Sequence, residues 1–529
     1  MSAKNVVEKG RSMSKALKRI SALCLVTLLH ILTLTSSCGP FPSSAQEYWP
    51  GNEWRTSPPE AQGMDSAQLA DMLTFIQKTD IRLHSLLVVR NGYLVLEVYY
   101  PPYNPRVRHG VASITKSVIG TLVGIAIQQG KIQSVEQKLV DFFPELNIQH
   151  LDEQKKSISV KNLLSMTPGL DCQDNSTPAM RMYDTDQWVQ YLLDLPVDAA
   201  PGTKWIYCSG ASHLLSAVIQ NTTGMDARSF ANQNLFTPLG VADINPPEWS
   251  SDPEGISNGI AGLYLTPRET AKYGYLYLKQ GRWDRTQVVP SKWVHDSTVE
   301  QAFIGKDDYV GGLDRRFGYM WSVFPELGYY GYLGQAGQEL FVIPEQEMVV
   351  VFNAALPLGK EARLLELLNS YIIPSATAKD SIKSDPQAAA RLEALVRQAA
   401  GTASELQPLP PKAQEISGKT YQLEDNLAGW KSMALIFTPG ASEAVLRLDG
   451  TQDLKIGLDN IYRLTEVPGG RPFALRGRWN DSGEFEMDYS LVGEALDSTA
   501  AFHFEGNQLD LSIFNLVYGG PSLRIKGKE

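Results

Sequence analysis

Two spacings of apolar residues alternate along this chain, and the places where one gives way to the other outline its elements. Across 66–78, Leu69, Met72, Leu73 and Ile76 recur at three- and four-residue intervals, which predicts an amphipathic helix. The stretches 85–90 and 93–100 are then rich in Val, Leu and Tyr on either side of Asn91-Gly92. That dipeptide supplies the two positive φ angles of a type I′ turn, so a β-hairpin is expected. Residues 113–129 read as a helix; from 118 to 127 nearly every residue is apolar or small, so it is buried on most sides. Gly120 and Gly124 lie one turn apart and permit close packing, and Gly130 is a plausible stop. From about 131 to 310 helix and loop patterns dominate, with Thr266-Pro267-Arg268-Glu269 as a capped helix start. Strand spacing returns at 316–324. A second hairpin, 339–343 and 348–352, flanks Pro344-Glu-Gln-Glu347, and 361–373 is again helical in pattern. Strand hairpins at both ends with helices between them predict an α+β domain: an antiparallel sheet flanked by helices, with a helical region inserted.

This α+β domain is expected over 46–375. Residues 376–412 contain a short Ala-rich helix and then Pro408-Leu-Pro-Pro411, and read as a linker. Over 413–529 short strand patterns recur at 434–437, 444–448, 461–465, 473–477, 484–489, 500–504 and 509–513, separated by turn dipeptides such as Asp449-Gly450. They predict a small all-β domain, a barrel or a sandwich. A chain of 529 residues is in any case too long for one core. At the other end, Lys15, Lys18 and Arg19 precede an apolar run over 22–34 that is short and interrupted for a membrane-crossing helix. Residues 1–45 are therefore expected to be a signal peptide, with Ser43-Ser44-Ala45 as its cleavage zone, or a lipoprotein signal anchoring the chain through Cys38. An uncut anchor helix is the third alternative. Each places the protein outside the cytoplasm, periplasmic or extracellular.

Net charge is −10 and no basic block stands out in the body of the chain, which argues against a nucleic-acid partner. The seven histidines are scattered and neither H-E-x-x-H nor C-x-x-C occurs, so no metal or other cofactor is expected. Of four cysteines, Cys24 and Cys38 fall in the leader. Cys172 and Cys208 remain, either paired in an oxidising compartment or as two separate buried thiols.

Candidate chemistry begins at Ser113-Ile-Thr-Lys116. A hydroxyl and an amine at i and i+3 share one helix face, and the helix start adds unpaired backbone N–H groups and a positive dipole end. An apolar setting favours an uncharged amine, which can activate a serine as a base. The alternative is a serine N-cap with a solvated lysine one turn on. The same spacing also occurs in the leader at Ser12-Met-Ser-Lys15, where it is an accident. Tyr207, in Trp205-Ile-Tyr-Cys-Ser209, stands on a loop before a helical run and suits a second proton carrier, or a core tyrosine. Gly334-Gln-Ala-Gly-Gln338 leads into a strand whose small residues allow a substrate backbone to approach; otherwise it is an ordinary glycine-rich turn.

In this order the three segments resemble the serine β-lactamase and penicillin-binding-protein superfamily, most closely its class C β-lactamase-like branch with esterases and D-aminopeptidases. That family reads S-x-x-K, then Y-x-N or Y-x-S, then K-T-G or H-x-G. The matching residues are Ser113 and Lys116, Tyr207 and Ser209, and Gln335 and Gly337, with similar flanking text at Asn162-Leu-Leu-Ser-Met-Thr-Pro-Gly-Leu170 and Gly337-Gln-Glu-Leu-Phe-Val-Ile-Pro344. The resemblance covers 60–373 and implies a β-lactamase/transpeptidase-like fold. It implies Ser113 as nucleophile, Lys116 and Tyr207 in proton transfer, and Ser209 orienting the lysine or the substrate. The N–H groups of Ser113 and Gln338 would form the oxyanion hole. Substrates would be small esters, amides or peptides. Gln335 stands where the family has Lys or His, and a neutral amide gives up a charge-assisted contact to a substrate carboxylate. Ester or amide hydrolysis is thus expected rather than efficient β-lactam hydrolysis, with a D,D-peptidase or D-aminopeptidase and a catalytically silent binding protein as the other readings. Within this frame a Cys172–Cys208 disulfide would fix the Tyr207 loop.

Overall fold

The helix expected after residue 65 forms as α1 (Ser66–Thr79), with Leu69, Met72, Leu73 and Ile76 all buried. The architecture is that of a computed structural model describing residues 48–529 apart from Asn52, Asp80 and Pro521. The leader features at 1–45, Cys24 and Cys38 among them, lie outside the described residues. The hairpin β1 (Leu83–Arg90) and β2 (Tyr93–Tyr99) turns at Asn91, φ 50°, and Gly92, φ 83°. Six further strands come from 302–354: β3 (Ala302–Asp307), β4 (Leu313–Phe317), β5 (Ser322–Phe324), β6 (Tyr329–Gly334), β7 (Gln338–Ile343) and β8 (Met348–Ala354). They join the hairpin in one sheet of order β2-β1-β8-β7-β6-β5-β4-β3, antiparallel throughout. The continuous alternation read over 316–324 is interrupted at 318–321, where Met320 takes φ 58° and the chain folds back between β4 and β5. β6 is buried at every position, so it carries no alternation for a sequence reading to find.

Successive side chains of a strand point to opposite faces, and both faces of this sheet are covered. Met348, Val350 and Phe352 pack with α1 and the helical stretch 362–375. Val349 and Leu340 meet α4 (Pro267–Leu278) at Gly274, where a Cβ would come within 2.7 Å of either. α4 starts with the expected capping box of Thr266 and Glu269. On the same side lie α2 (Ile114–Gln128), nearly all buried, and α3 (Ser209–Thr223) packed against it. The two glycines of α2 do admit close neighbours: a Cβ would lie 3.1 Å from Met320 Cβ at Gly120 and 2.4 Å from the Trp293 indole at Gly124.

The stretch read as a linker is partly built into the helical layer. Its α5 (Pro386–Ala399) turns Ala388, Leu392 and Ala399 inward and lies along α1, leaving 401–410 as the extended connection.

Ten strands follow: β9 (Tyr421–Leu423), β10 (Ser432–Phe437), β11 (Glu443–Leu448), β12 (Gln452–Gly457), β13 (Arg463–Thr465), β14 (Phe473–Trp479), β15 (Phe485–Leu491), β16 (Asp497–Glu505), β17 (Gln508–Asn515) and β18 (Leu523–Lys528). Nine of them form a barrel, because β12 meets β14 in a parallel bridge at Gly457 and Arg476, and short β13 flanks that seam. β9, β12 and β18 were not foreseen; β9 is only three residues long, and in the other two Asp, Lys and Arg alternate with few inward residues and dilute the pattern.

The barrel meets the α+β domain along two loops. Gly110 N–H donates to Gly493 O at 2.7 Å, and Tyr103 OH donates to Glu494 O at 3.0 Å. Leu358 N–H donates to Val517 O at 3.0 Å, and Val517 packs with Ala336 and Ala355.

Candidate active site

The chain reaches the site through a two-residue bridge, His109–Gly110 against Tyr264–Leu265. It then turns sharply at Ala112, whose φ of 45° is rare for a residue with a Cβ. Ser113 follows at the N-cap of α2, half-exposed, and its hydroxyl makes no capping bond. Instead Lys116 Nζ lies 3.0 Å from Ser113 Oγ. The lysine is 1% exposed, so the reading of a capping serine with a solvated lysine fails on both counts. Its other hydrogen bond goes to Ile260 O at 2.7 Å, and the Tyr207 ring centroid is 5.2 Å from Nζ. Both hydrogen-bond partners are uncharged.

The loop that presents Ile260 O is anchored from two directions. Asn258 Oδ1 accepts from the N–H groups of Ile260 and Ala261 at 2.9 and 3.3 Å. Nε2 of His213, on α3, contacts Asp252 at 3.0 Å with both side chains fully buried, while its Nδ1 accepts from Gly259 N–H at 3.4 Å.

Tyr207 is partly exposed, and its hydroxyl lies 3.2 Å from that of Tyr332 on β6. Burial, and then the neighbouring Tyr207, push the Tyr332 phenol well above its ordinary value, so it keeps its proton. Cys208, next to Tyr207, is disulfide-bonded to Cys172, with a Cα separation of 5.4 Å. The same loop is held by Ile206 N–H to Met166 O at 3.0 Å and Asp174 N–H to Tyr207 O at 2.9 Å. Ser209 is engaged with Asp174, donating from its backbone N–H at 2.7 Å and its hydroxyl at 2.5 Å, and makes no hydrogen bond to Lys116. It starts α3, where a carboxylate is favoured by the unpaired N–H groups and the dipole.

The third segment closes the site from the sheet. A Cβ at Gly334 would stand 3.2 Å from Ala112 Cβ, so the end of β6 abuts the residue before Ser113. Gln335 is exposed; Ala336 and Gly337 follow at φ 59° and 89°. The Gln338 side chain turns into the sheet, donating to Ala354 O at 2.6 Å and accepting from Asn353 Nδ2 at 3.1 Å. Below, Glu361 Oε1 accepts from Ala336 N–H at 3.3 Å. The carboxyl of fully buried Glu339 is pushed well above the usual range by burial and then by Glu361.

Sequence reasoning missed Tyr332, Asp174 and Arg315. Arg315 lies over the Trp205 ring, 5.7 Å from its centroid, brings a cation toward the tyrosine pair, and is ion-paired with Asp307. None of the three belongs to a spaced motif; topology alone brings them here. Among the described residues no group of three His, Cys, Asp or Glu is arranged to hold a metal ion.

A family model described as Beta-lactamase matches residues 60–368. A 6-aminohexanoate-dimer hydrolase of Paenarthrobacter ureafaciens is 25% identical over 296 residues, covering 52% of this chain and 72% of that protein. The esterase EstB of Burkholderia gladioli is 24% identical over 215 residues, 35% of this chain and 53% of that one. The solved structure of EstCE1, a hydrolase with promiscuous acyltransferase activity, aligns with a TM-score of 0.48 at 16% identity, covering 59% of this chain and 99% of its own.

Proposed function

From the premise that the chain belongs to the Beta-lactamase family, we propose that it is a serine hydrolase that cleaves a carboxylic ester or amide through an acyl-enzyme on Ser113. One observation carries the reading: a buried lysine amine, hydrogen-bonded only to uncharged oxygens, 3.0 Å from a half-exposed serine hydroxyl. With the amine uncharged, Oγ–H donates to Nζ. As Oγ bonds to the substrate carbonyl carbon, its proton passes to Lys116 and the carbonyl oxygen becomes an oxyanion. The N–H groups of Ser113 and Gln338 receive that charge, one at the helix start and the other at the start of the inner strand β7.

The scissile C–O or C–N bond then breaks. The leaving group takes a proton from Tyr207, which is replenished from Lys116, and Ser113 is left as an ester. Tyr332, kept protonated by burial, donates to the Tyr207 oxygen while Tyr207 is short of its proton. Water attacks the ester, gives its proton back along the same path, and releases the acid and the free hydroxyl. Exposed Gln335 offers no charge to a substrate carboxylate, which favours uncharged acyl substrates over β-lactams. Export through residues 1–45 belongs to the same proposal. The relatives named as a dimer hydrolase and an esterase are consistent with this chemistry.

Labelling with a fluorescent fluorophosphonate tests it: wild type is expected to label and Ser113→Ala to remain dark. Equal labelling of a folded Ser113→Ala would refute the assignment.

A further inference from the structure

A barrel must fill its lumen with side chains or enclose something else, and a ninth strand widens it. The inward positions here are apolar: Leu446, Leu454, Leu475, Met487, Phe502 and Leu511 are each 5% exposed or less. They pack in one cluster that leaves a cavity of about 300 Å³ among its side chains. Well-packed cores leave few voids larger than a water molecule, and an apolar cavity does not hold water well. A space of this size and lining matches small-ligand sites instead.

The lining sets the ligand's chemistry. No charged side chain borders the cavity, and Trp430, Gln452 and Tyr489 alone bring nitrogen or oxygen to it. Gln452 is exposed and the other two are half-buried, so polar atoms stand where the lining reaches solvent. Met433 and Met487 supply adaptable walls. We infer that the barrel is a binding site for a single-chain amphiphile, with its alkyl chain in the lumen and its polar end at the rim beside Trp430, Gln452 and Tyr489. Every lining residue comes from 430–513, so the site is separate from Ser113 and does not depend on the hydrolase reading.

The chain can come from a free fatty acid or alcohol, or from a lysophospholipid. The test uses the full chain carrying Ser113→Ala, titrated with a dansyl-labelled fatty acid and followed by dansyl emission. Saturable binding at one site per chain, displaced by dodecanol and dodecanoic acid, is expected. Displacement by lysophosphatidylcholine as well would identify a lipid source, and failure of that competitor alone a free one. Ala500→Trp and Leu446→Trp fill the lumen from different strands and should each weaken binding at least about tenfold while cooperative melting is retained. If one fails to melt cooperatively, the other decides. No saturable signal below the probe's micelle-forming concentration, or unchanged affinity in a folded lumen-filled variant, would overturn the inference.

Discussion

At the scale of single residues, the proposed reaction needs a base at position 116 that can take the proton of Ser113. An arginine keeps the length and the donors but stays charged. Lys116→Arg is therefore expected to lower kcat/KM by about 10²–10⁴, the usual worth of a general base; steady-state kinetics on an uncharged ester would check it. Gln335 makes a second prediction. Fluorescent penicillin should acylate wild type slowly, and Gln335→Lys should speed it about tenfold, the worth of one charge-assisted contact; gel fluorescence over time reads the rate. Ser113, Lys116 and Tyr207 were legible because each sits in a short stretch whose spacing carries meaning. Tyr332 and the Ile260 carbonyl were not: a tyrosine among Tyr329, Tyr330 and Tyr332, and a backbone oxygen, have no sequence signature. Ser209 shows the limit of motif transfer, since its hydroxyl goes to Asp174, a residue that no pattern marked.

At the scale of elements, α2 is the part most tightly specified. The Trp293 indole leaves no room for a methyl at Gly124. Gly124→Ala gains helix propensity, by about 1 kcal/mol, and meets a ring that is itself buried and cannot easily yield. Overpacking costs about 1–3 kcal/mol, so a net fall in Tm is expected by calorimetry; an unchanged or higher Tm would show that Trp293 moves aside freely. The first hairpin could be read from its Asn91-Gly92 turn, α2 from the length of its apolar run, α4 from its capping box, and most barrel strands from the alternation that a half-buried face imposes. β6 could not, because Gly331 and Gly334 break its apolar run, whereas the equally buried β7 and β8 carry unbroken ones. The segment 376–412 misled through its composition: Ala and Pro suggest a tether, whereas Leu392 and its neighbours form a stripe that α1 covers.

At the scale of the whole molecule, the barrel is bonded to the segments that shape the site. A chain of side chains with two buried histidines crosses the junction: His84 Nδ1 lies 2.9 Å from His109 Nε2, and His84 Nε2 lies 3.0 Å from half-buried Asp497 on β16. His109 in turn donates to Gly110 O, three residues before the nucleophile. Burial, then His84, push the His109 ring down from 6.5 to about 3. For Asp497, burial acts upward, but the adjacent His84, together with Ser490 and Arg82, holds the carboxyl below its usual range. The unfolded chain therefore takes up a proton on His109 near pH 6.5 that the folded protein refuses until about 3, so stability falls as pH drops through that window and rises as pH is raised. Asp497 acts with the same sign, losing its stabilisation as pH falls through its lowered value. Tm is expected to decline from neutral pH toward pH about 4, and less steeply in His109→Gln; equal slopes would remove the histidine from the account. The two-domain plan could be read from chain length and the short strand patterns after 413, but this junction could not, because it joins residues about 400 positions apart, a separation no local pattern records.

The most direct measurement is rapid acid quenching of wild type mixed with an uncharged ester in excess, followed by mass analysis of its peptides. An acyl group carried on Ser113 within the first turnover, absent in Ser113→Ala and greatly diminished in Lys116→Arg, is the predicted result. Ester turnover without an acyl group on Ser113, or with undiminished acylation in Lys116→Arg, would contradict the account.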